Sequence, residues 1–252
     1  MTRVLIVNAD DFGRSQEISA GILRAHAEGI VTSTSALVRG AGAEPAFDAL
    51  ARHPRLSVGL HLDFGEWAPR DGGWVATYEV VALDDARAVE REARAQLDRF
   101  RRLAGRSPTH IDSHQHVHRE GGPHTVAARL AAELGVPLRG QCPDVHSCGS
   151  FYGRSSDGSP FPEGITVDTL VRIICELPAG VTELVCHPGE PGVDDPLYGP
   201  ERAEELRVLC DARVADAIRI SEVRLASFDA VRRAAAAPRD AVRPPSARSM
   251  DR

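Results

Sequence analysis

The sequence predicts an α/β fold in which a mostly parallel sheet closes, or nearly closes, into a barrel. Short apolar runs alternate with longer segments of helical periodicity, as in strand–helix units of parallel sheets. The chain of 252 residues suits one barrel-sized domain. Several apolar runs end in ionisable residues, and in barrels such residues meet at the carboxyl ends of the strands. This third feature favours a barrel over an open sheet.

The helical segments repeat apolar residues every three or four positions. Ser15 is predicted to begin the first helix and Gly29 to end it. The clearest stripe lies in 84–104, where apolar residues share one side and charges the other. A shorter stripe stops before Gly135. Further helices are predicted over 166–177 and 200–217, with strands around 182–186 and 223–227.

The first predicted strand, residues 4–9, is apolar on both faces and ends in two adjacent carboxylates, Asp10 and Asp11. This pattern is typical of a central parallel strand, and α/β enzymes bind ligands at the carboxyl ends of such strands. Adjacent carboxylates repel each other unless a cation lies nearby. A helix N-cap or a solvated turn would explain the pair without any function.

Two further apolar runs end in a histidine. His61 lies at the end of the apolar run in 56–63, and His187 follows 184–186 immediately before Pro188. A single histidine at such a position is more often a hydrogen-bonded core residue than a ligand. These three strand ends, together with the histidine-rich run 110–118, are nevertheless difficult to explain as independent coincidences. We therefore expect them to form one active site at one mouth of the barrel.

Residues 110–118 place a metal-capable side chain at every second position. In an extended strand these side chains would share one face. Imidazole together with carboxylate is a common ligand set for divalent ions and favours Zn²⁺. An imidazole-rich surface edge, or an adventitious metal trap, is the alternative. The row comprises His110, Asp112, His114, His116 and His118.

Taken together, these motifs resemble the YdjC-like carbohydrate deacetylases, a family that includes the chitooligosaccharide deacetylases. The resemblance implies a distorted TIM-like (β/α) barrel of the deacetylase type, with about seven strands, in a single domain over residues 1–231. The matching segments occur in the order of the family and are 8–13, 29–38, 59–61, 108–118 and 186–188.

The resemblance also implies one divalent metal ion held by Asp11, His61 and His114. Two histidines and one aspartate suit Zn²⁺, whereas Mg²⁺ prefers oxygen ligands. Members of the family are often described with magnesium, so both ions stay open. Ligating histidines usually donate their second N–H to a carboxylate or a carbonyl. We therefore expect Asp112 to orient His114.

For catalysis, the resemblance implies Asp10 as general base and His187 as general acid. The expected reaction removes the acetyl group from an N-acetylated amino sugar, such as a chitooligosaccharide or a glycoconjugate, and releases acetate and a free amine. The resemblance assigns no role to His116, His118 or Glu66. The segments 62–74 and 140–165 match the family poorly, so the sugar is not specified.

Two alternatives stay open. The first is a metal-dependent hydrolase of another bond, such as a phosphoester or a non-sugar amide. The second is a non-catalytic carbohydrate-binding barrel. Asp10 and His187 argue against the second, because a protein that only binds needs neither base nor acid. Related proteins further suggest a homodimer.

Composition excludes several function classes. The net charge of −6, without a basic stripe, argues against a nucleic-acid partner. The chain has no lysine, which excludes Schiff-base aldolases, pyridoxal-phosphate enzymes and P-loop proteins. The sequence shows no leader and no membrane-spanning run, and its five cysteines are scattered without zinc-knuckle spacing. We therefore expect a cytoplasmic protein with reduced thiols. Residues 232–252 are rich in Ala, Pro and Arg and predict a disordered tail.

Overall fold

The computed structural model of the chain describes residues 2–70 and 73–236. Of the predicted tail, residues 237–252 lie outside the described residues, and 232–236 belong to the last helix. The strands are β1 Arg3–Phe12, β2 Ser33–Ala36, β3 Ser57–Leu62, β4 Gly65–Arg70, β5 Gly73–Glu79, β6 Ile111–Ser113, β7 Val145–Cys148, β8 Gly180–Cys186 and β9 Val223–Leu225. The α-helices are α1 Gln16–Glu28, α2 Ala43–Ala49, α3 Ala86–Ala104, α4 Gly121–Leu134, α5 Val167–Cys175, α6 Gly199–Leu209, α7 Ala212–Ile220 and α8 Phe228–Ala236.

Seven of these strands form one parallel sheet. The order across it is β6-β3-β2-β1-β8-β7, and β9 pairs with the first residues of β1. The other two strands, β4 and β5, form a separate antiparallel hairpin. Strand β1 is buried from Val4 to Phe12, as its uninterrupted apolar run predicts for a strand covered on both faces.

The sheet curls strongly. In a flat sheet, β6 and β8 would lie four strand spacings apart, or about 19 Å. Yet the single side chain of Arg139 contacts Asp112 on β6 at 2.6 Å and Glu183 on β8 at 2.7 Å. The two strands must therefore face each other across the interior. This curvature confirms the predicted α/β class and its distorted barrel.

The helices follow the predicted stripes, with one exception. Ser15 accepts a hydrogen bond from the Ile18 amide at 3.1 Å and begins α1, while Gly29 ends it. The prediction of one helix over 200–217 is wrong, because the chain breaks into α6 and α7. The Asp211 carboxylate accepts from the Arg213 amide at 2.9 Å and so caps a new helix. Within residues 2–70 and 73–236, no helix is both long and apolar enough to cross a membrane.

Candidate metal and catalytic site

A cavity of about 940 Å³ opens at the carboxyl ends of the parallel strands. Strands β1, β3 and β8 and the turn after β6 all bring side chains to it. The predicted clustering of strand ends is therefore present in the structure. The cavity wall includes all five residues proposed from the sequence, namely Asp10, Asp11, His61, His114 and His187.

Asp10 and Asp11 both reach the cavity because β1 is irregular at its end. In a regular strand, neighbouring side chains point to opposite faces. Here the register with β2 shifts between Ala9 and Phe12, and Asp11 has a φ of 73°. Aspartate tolerates this left-handed conformation better than most residues. The bulge thus turns two adjacent carboxylates toward one space.

Asp11, His61 and His114 form a compact set of possible ligands. One ligand atom from each lies within 4.8 Å of the others, and all three residues are buried. Asp11 Oδ1 is 3.6 Å from His61 Nε2 and 3.2 Å from His114 Nδ1. No donor among the described residues satisfies this buried oxygen. A divalent cation would satisfy it, so the donor set fits a metal ion with open coordination positions.

The other oxygen of Asp11 is already occupied. Arg202 donates to Asp11 Oδ2 at 2.6 Å and is itself held by Asp195 at 2.9 Å. Burial raises the pKa of Asp11, but Arg202 and His114 outweigh that effect and hold the pKa well below its usual range. Asp11 is therefore an anion with one free oxygen, as a metal ligand requires.

His61 is oriented by a carboxylate behind it. Its Nδ1 lies 2.7 Å from Asp112 Oδ1, which leaves Nε2 facing Asp11. We expected Asp112 to orient His114, and the structure places it on His61 instead. The reason is strand pairing, because His61 and Asp112 are partners in the β3–β6 register. Such a hydrogen bond fixes the tautomer of a ligating imidazole.

His114 lies between Asp11 and the pair formed by Arg14 and Glu66. Its Nε2 is 3.2 Å from Arg14 Nη1 and 3.6 Å from Glu66 Oε2, and Arg14 donates to Glu66 at 2.9 Å. Burial alone would lower the pKa of His114, but the adjacent carboxylates of Asp11 and Glu66 outweigh burial and raise it to about 9. Glu66, to which the sequence assigned no role, thus lies next to His114, one of the three proposed metal ligands.

Asp10 is held by a bidentate ion pair. Arg139 donates to its two oxygens at 2.6 and 2.7 Å, and Asn8 donates to Oδ1 at 2.8 Å. Burial raises the pKa of Asp10, but Arg139 and His61 lower it below the ordinary value. Asp10 is therefore ionised at neutral pH. A second possible ligand group, Asp10 with His61 and Asp112, has its carboxylates occupied by these donors and is a poorer metal site.

His187 follows β8 and is half-buried. Its Nε2 lies 3.9 Å from Asp10 Oδ2, and its Nδ1 lies 3.8 Å from Glu205 Oε1. The backbone N–H of His187 donates to the other oxygen of Glu205. The rings of Tyr152 and Tyr198 lie 5.3 and 5.5 Å away. These contacts place the imidazole beside Asp10 on the cavity wall, although its Nδ1 has no hydrogen-bond partner among the described residues.

The alternating run 110–118 does not form one extended row, so that expectation is wrong. Strand β6 ends at Ser113, and His114–Arg119 form tight 3-10 turns. The hydroxyl of Ser113 causes the bend, because it accepts from the His118 amide at 3.0 Å and pairs with His118 Nδ1 at 2.7 Å. His110 packs instead against Phe228, with ring centroids 3.9 Å apart.

Three residues around the site were missed from sequence, namely Arg139, Arg202 and Glu205. The chain has 30 basic residues, all of them arginine, and nothing local separates these two arginines from the rest. Arg139 lies far along the chain from Asp10, its bidentate partner. Only the closure of the sheet brings them together. Residue type and local spacing therefore carry no signal for such partners.

Comparisons with known proteins identify the family. The sequence profile described as YdjC-like protein matches residues 4–219. A carbohydrate deacetylase of Brevibacillus brevis is 32% identical over 89% of this chain and 98% of its own length. A carbohydrate deacetylase of Geobacillus stearothermophilus is 35% identical over 84% and 91%. A chitooligosaccharide deacetylase of Salmonella paratyphi B is 34% identical over 90% and 99%.

Solved structures agree on the fold. A proposed cellobiose-phosphate cleavage protein of Enterococcus faecalis superposes with a TM-score of 0.73 at 26% identity, covering 92% of this chain and 99% of that one. A family 4 carbohydrate esterase of Streptomyces lividans has a TM-score of 0.53 at 12% identity, covering 88% and 91%, and supports the fold alone. With the sequence match over residues 4–219, these findings show that the chain belongs to the YdjC-like family.

Proposed function

We propose that this protein is a metal-dependent carbohydrate N-deacetylase that hydrolyses the amide of an N-acetylated amino sugar. The observation that carries the proposal is the buried set Asp11, His61 and His114, with Asp10 and His187 beside it on the same cavity wall. The names of the relatives, carbohydrate deacetylase and chitooligosaccharide deacetylase, support the same reaction.

The proposed reaction adds water to the acetyl carbon and breaks the C–N bond. A divalent cation, Mg²⁺ or Zn²⁺, held by Asp11, His61 and His114 would supply a Lewis acid for the carbonyl and lower the pKa of water. Asp10, kept ionised and oriented by Arg139, accepts the proton of the attacking water.

His187 completes the proton transfers. An amine is a poor leaving group unless it is protonated. His187 lies on the cavity wall 3.9 Å from Asp10 and belongs to neither group of possible metal ligands among the described residues, so it is free to act as the acid. It donates a proton to the departing nitrogen, while Glu205 accepts a hydrogen bond from the backbone N–H of His187 and so anchors the residue. General acid catalysis of this kind contributes about 10²–10⁴-fold in rate. The products are acetate and a free amino sugar.

The cavity supports a sugar substrate with more than one ring. Its volume of about 940 Å³ is near the upper end of the range of about 300–1,000 Å³ for small-molecule pockets. Trp67, Trp74 and Tyr152 line it and offer flat apolar faces for sugar rings. We therefore propose a short N-acetylated oligosaccharide or glycoconjugate as substrate.

An acetate-release assay tests this proposal. Purified protein with added Mg²⁺ or Zn²⁺ is incubated with N-acetylglucosamine oligomers, and with an aryl phosphate in parallel. We expect acetate from the oligomers, no phosphate from the ester, and no acetate from Asp10→Asn. Phosphate release without acetate would favour a phosphoesterase. Sugar binding without any turnover would favour a binding barrel.

A further inference from the structure

Gln115 and His116 form an unusual turn directly after His114. Their φ angles are 50° and 57°, in the left-handed region that residues other than glycine rarely adopt. Such strain persists only where surrounding contacts hold it, and it is concentrated at functional sites. Here the Gln115 amide pairs with both backbone groups of Trp67, at 2.9 and 2.8 Å. The turn is thereby fastened to the hairpin β4–β5.

This turn brings His116 to the wall of the same cavity as Asp10 and His187. His116 belongs to neither group of possible metal ligands found among the described residues. Its position therefore needs an explanation other than coordination. The His116 ring packs edge-on against the ring of His118, with ring centroids 6.1 Å apart.

The ring nitrogens of His116 differ from those of His110 and His118, the two other histidines of the run that are not proposed ligands. His110 and His118 use both nitrogens within the protein, on Thr109, Ser35, Ser113 and the carbonyl of Arg139. His116 Nδ1 is buried with no hydrogen-bond partner among the described residues. A buried N–H without an acceptor is rarer and costlier than a buried lone pair. The proton of His116 therefore belongs on Nε2.

His116 Nε2 has no hydrogen bond with the described residues and is not among their buried unpaired atoms. It consequently presents an N–H donor at the cavity. In the proposed mechanism, the acetyl group is assigned to the metal cluster and the amide nitrogen to His187. The hydroxyl groups of the sugar are the part of the substrate without an assigned partner.

We propose that His116 is a substrate-binding residue whose Nε2–H donates a hydrogen bond to one hydroxyl group of the amino sugar. The inference rests on the proposed deacetylase function and adds a residue that selects for the sugar part of the substrate. A single neutral hydrogen bond of this kind corresponds to about 3- to 10-fold in kcat/KM.

The test compares wild type and His116→Asn on N,N′-diacetylchitobiose and its mono-deoxy analogues. Asparagine tolerates the left-handed backbone but is too short to replace the imidazole. We expect one deoxy analogue to lower wild-type kcat/KM about 3- to 10-fold, and His116→Asn to lose the same factor on the parent sugar. On that one analogue, wild type and variant should have the same kcat/KM. His53→Asn, which lies outside the cavity wall, is the matched control and should behave as wild type.

Two results would overturn the inference. The first is that each analogue reduces kcat/KM by the same factor in both proteins, which would make His116 a structural residue. The second is that no deoxy analogue lowers the kcat/KM of the wild type by 3-fold or more, a result that does not depend on whether the variant folds. A wild type that releases no acetate from any N-acetylated sugar would instead reject the proposed function, and this inference with it.

Discussion

Asp10 and Asp11 are neighbours in sequence but have opposite surroundings. Both oxygens of Asp10 accept hydrogen bonds, from Arg139 and Asn8. Asp11 gives one oxygen to Arg202, and its other oxygen, toward His61 and His114, has no hydrogen-bond partner within residues 2–70 and 73–236. A carboxylate already held by a guanidinium suits proton transfer, whereas one with a free oxygen suits coordination. The sequence predicted the pair of residues, and the surrounding arginines account for the difference between them.

At the same scale, His187→Ala tests the general acid. The variant should keep metal affinity, because His187 is not in the cluster, and lose about 10²–10⁴-fold in kcat on an N-acetylated sugar. The loss should be much smaller for an aryl acetamide with a good leaving group, which does not need protonation. Steady-state rates on both substrates, with metal titration, measure this. An unchanged rate on the sugar would remove His187 from catalysis.

Secondary structure was predictable where one side of an element is apolar. Helix α3 shows this most clearly, since Val89, Ala93, Leu97 and Phe100 form its buried stripe. The prediction of one extended row over 110–118 failed because alternating polar residues do not by themselves fix an extended backbone. A local hydrogen bond from the His118 amide to the Ser113 hydroxyl instead favours the turn. The prediction of one helix over 200–217 failed for a similar reason. The apolar spacing continues across Asp211, but the Asp211 side chain caps a new helix.

For the whole molecule, the strand-end residues of the site were predictable because each signal is local. Asp10, Asp11, His61 and His187 each follow an apolar run, and parallel strands end at one edge. The partners that set their charges were not predictable. Arg139 joins Asp10, Asp112 and Glu183 from three strands, a contact that exists only after the sheet curls.

The homodimer and the cytoplasmic location stay predictions, and sedimentation of the purified protein would test the first.

This buried charge network predicts a pH dependence of stability. Burial raises the pKa of Glu183 to about 7, despite the opposing effect of Arg139. The folded protein therefore holds a proton on Glu183 to a higher pH than the unfolded chain does. The contribution of Glu183 to the free energy of unfolding falls as pH rises from about 4.5 to about 7, by roughly 1.4 kcal/mol for each pKa unit of difference.

Glu183→Gln keeps an acceptor for Arg139 but removes this titration. The stability of the variant relative to wild type should rise between pH 5 and pH 8. Urea unfolding of both proteins across that range measures the difference. A difference that stays constant with pH, or that moves in the other direction, would show that Glu183 is ionised throughout.

The central claim is that Asp11, His61 and His114 bind one divalent cation while Asp10 stays free as a base. Calorimetric titration with Mg²⁺ and Zn²⁺ tests it most directly. We predict one ion per chain for wild type and for Asp10→Asn, weakened binding for His114→Ala, and near-normal binding for His118→Ala, a buried histidine of the same turn. Loss of binding in Asp10→Asn equal to that in His114→Ala, or full binding in His114→Ala, would contradict the claim.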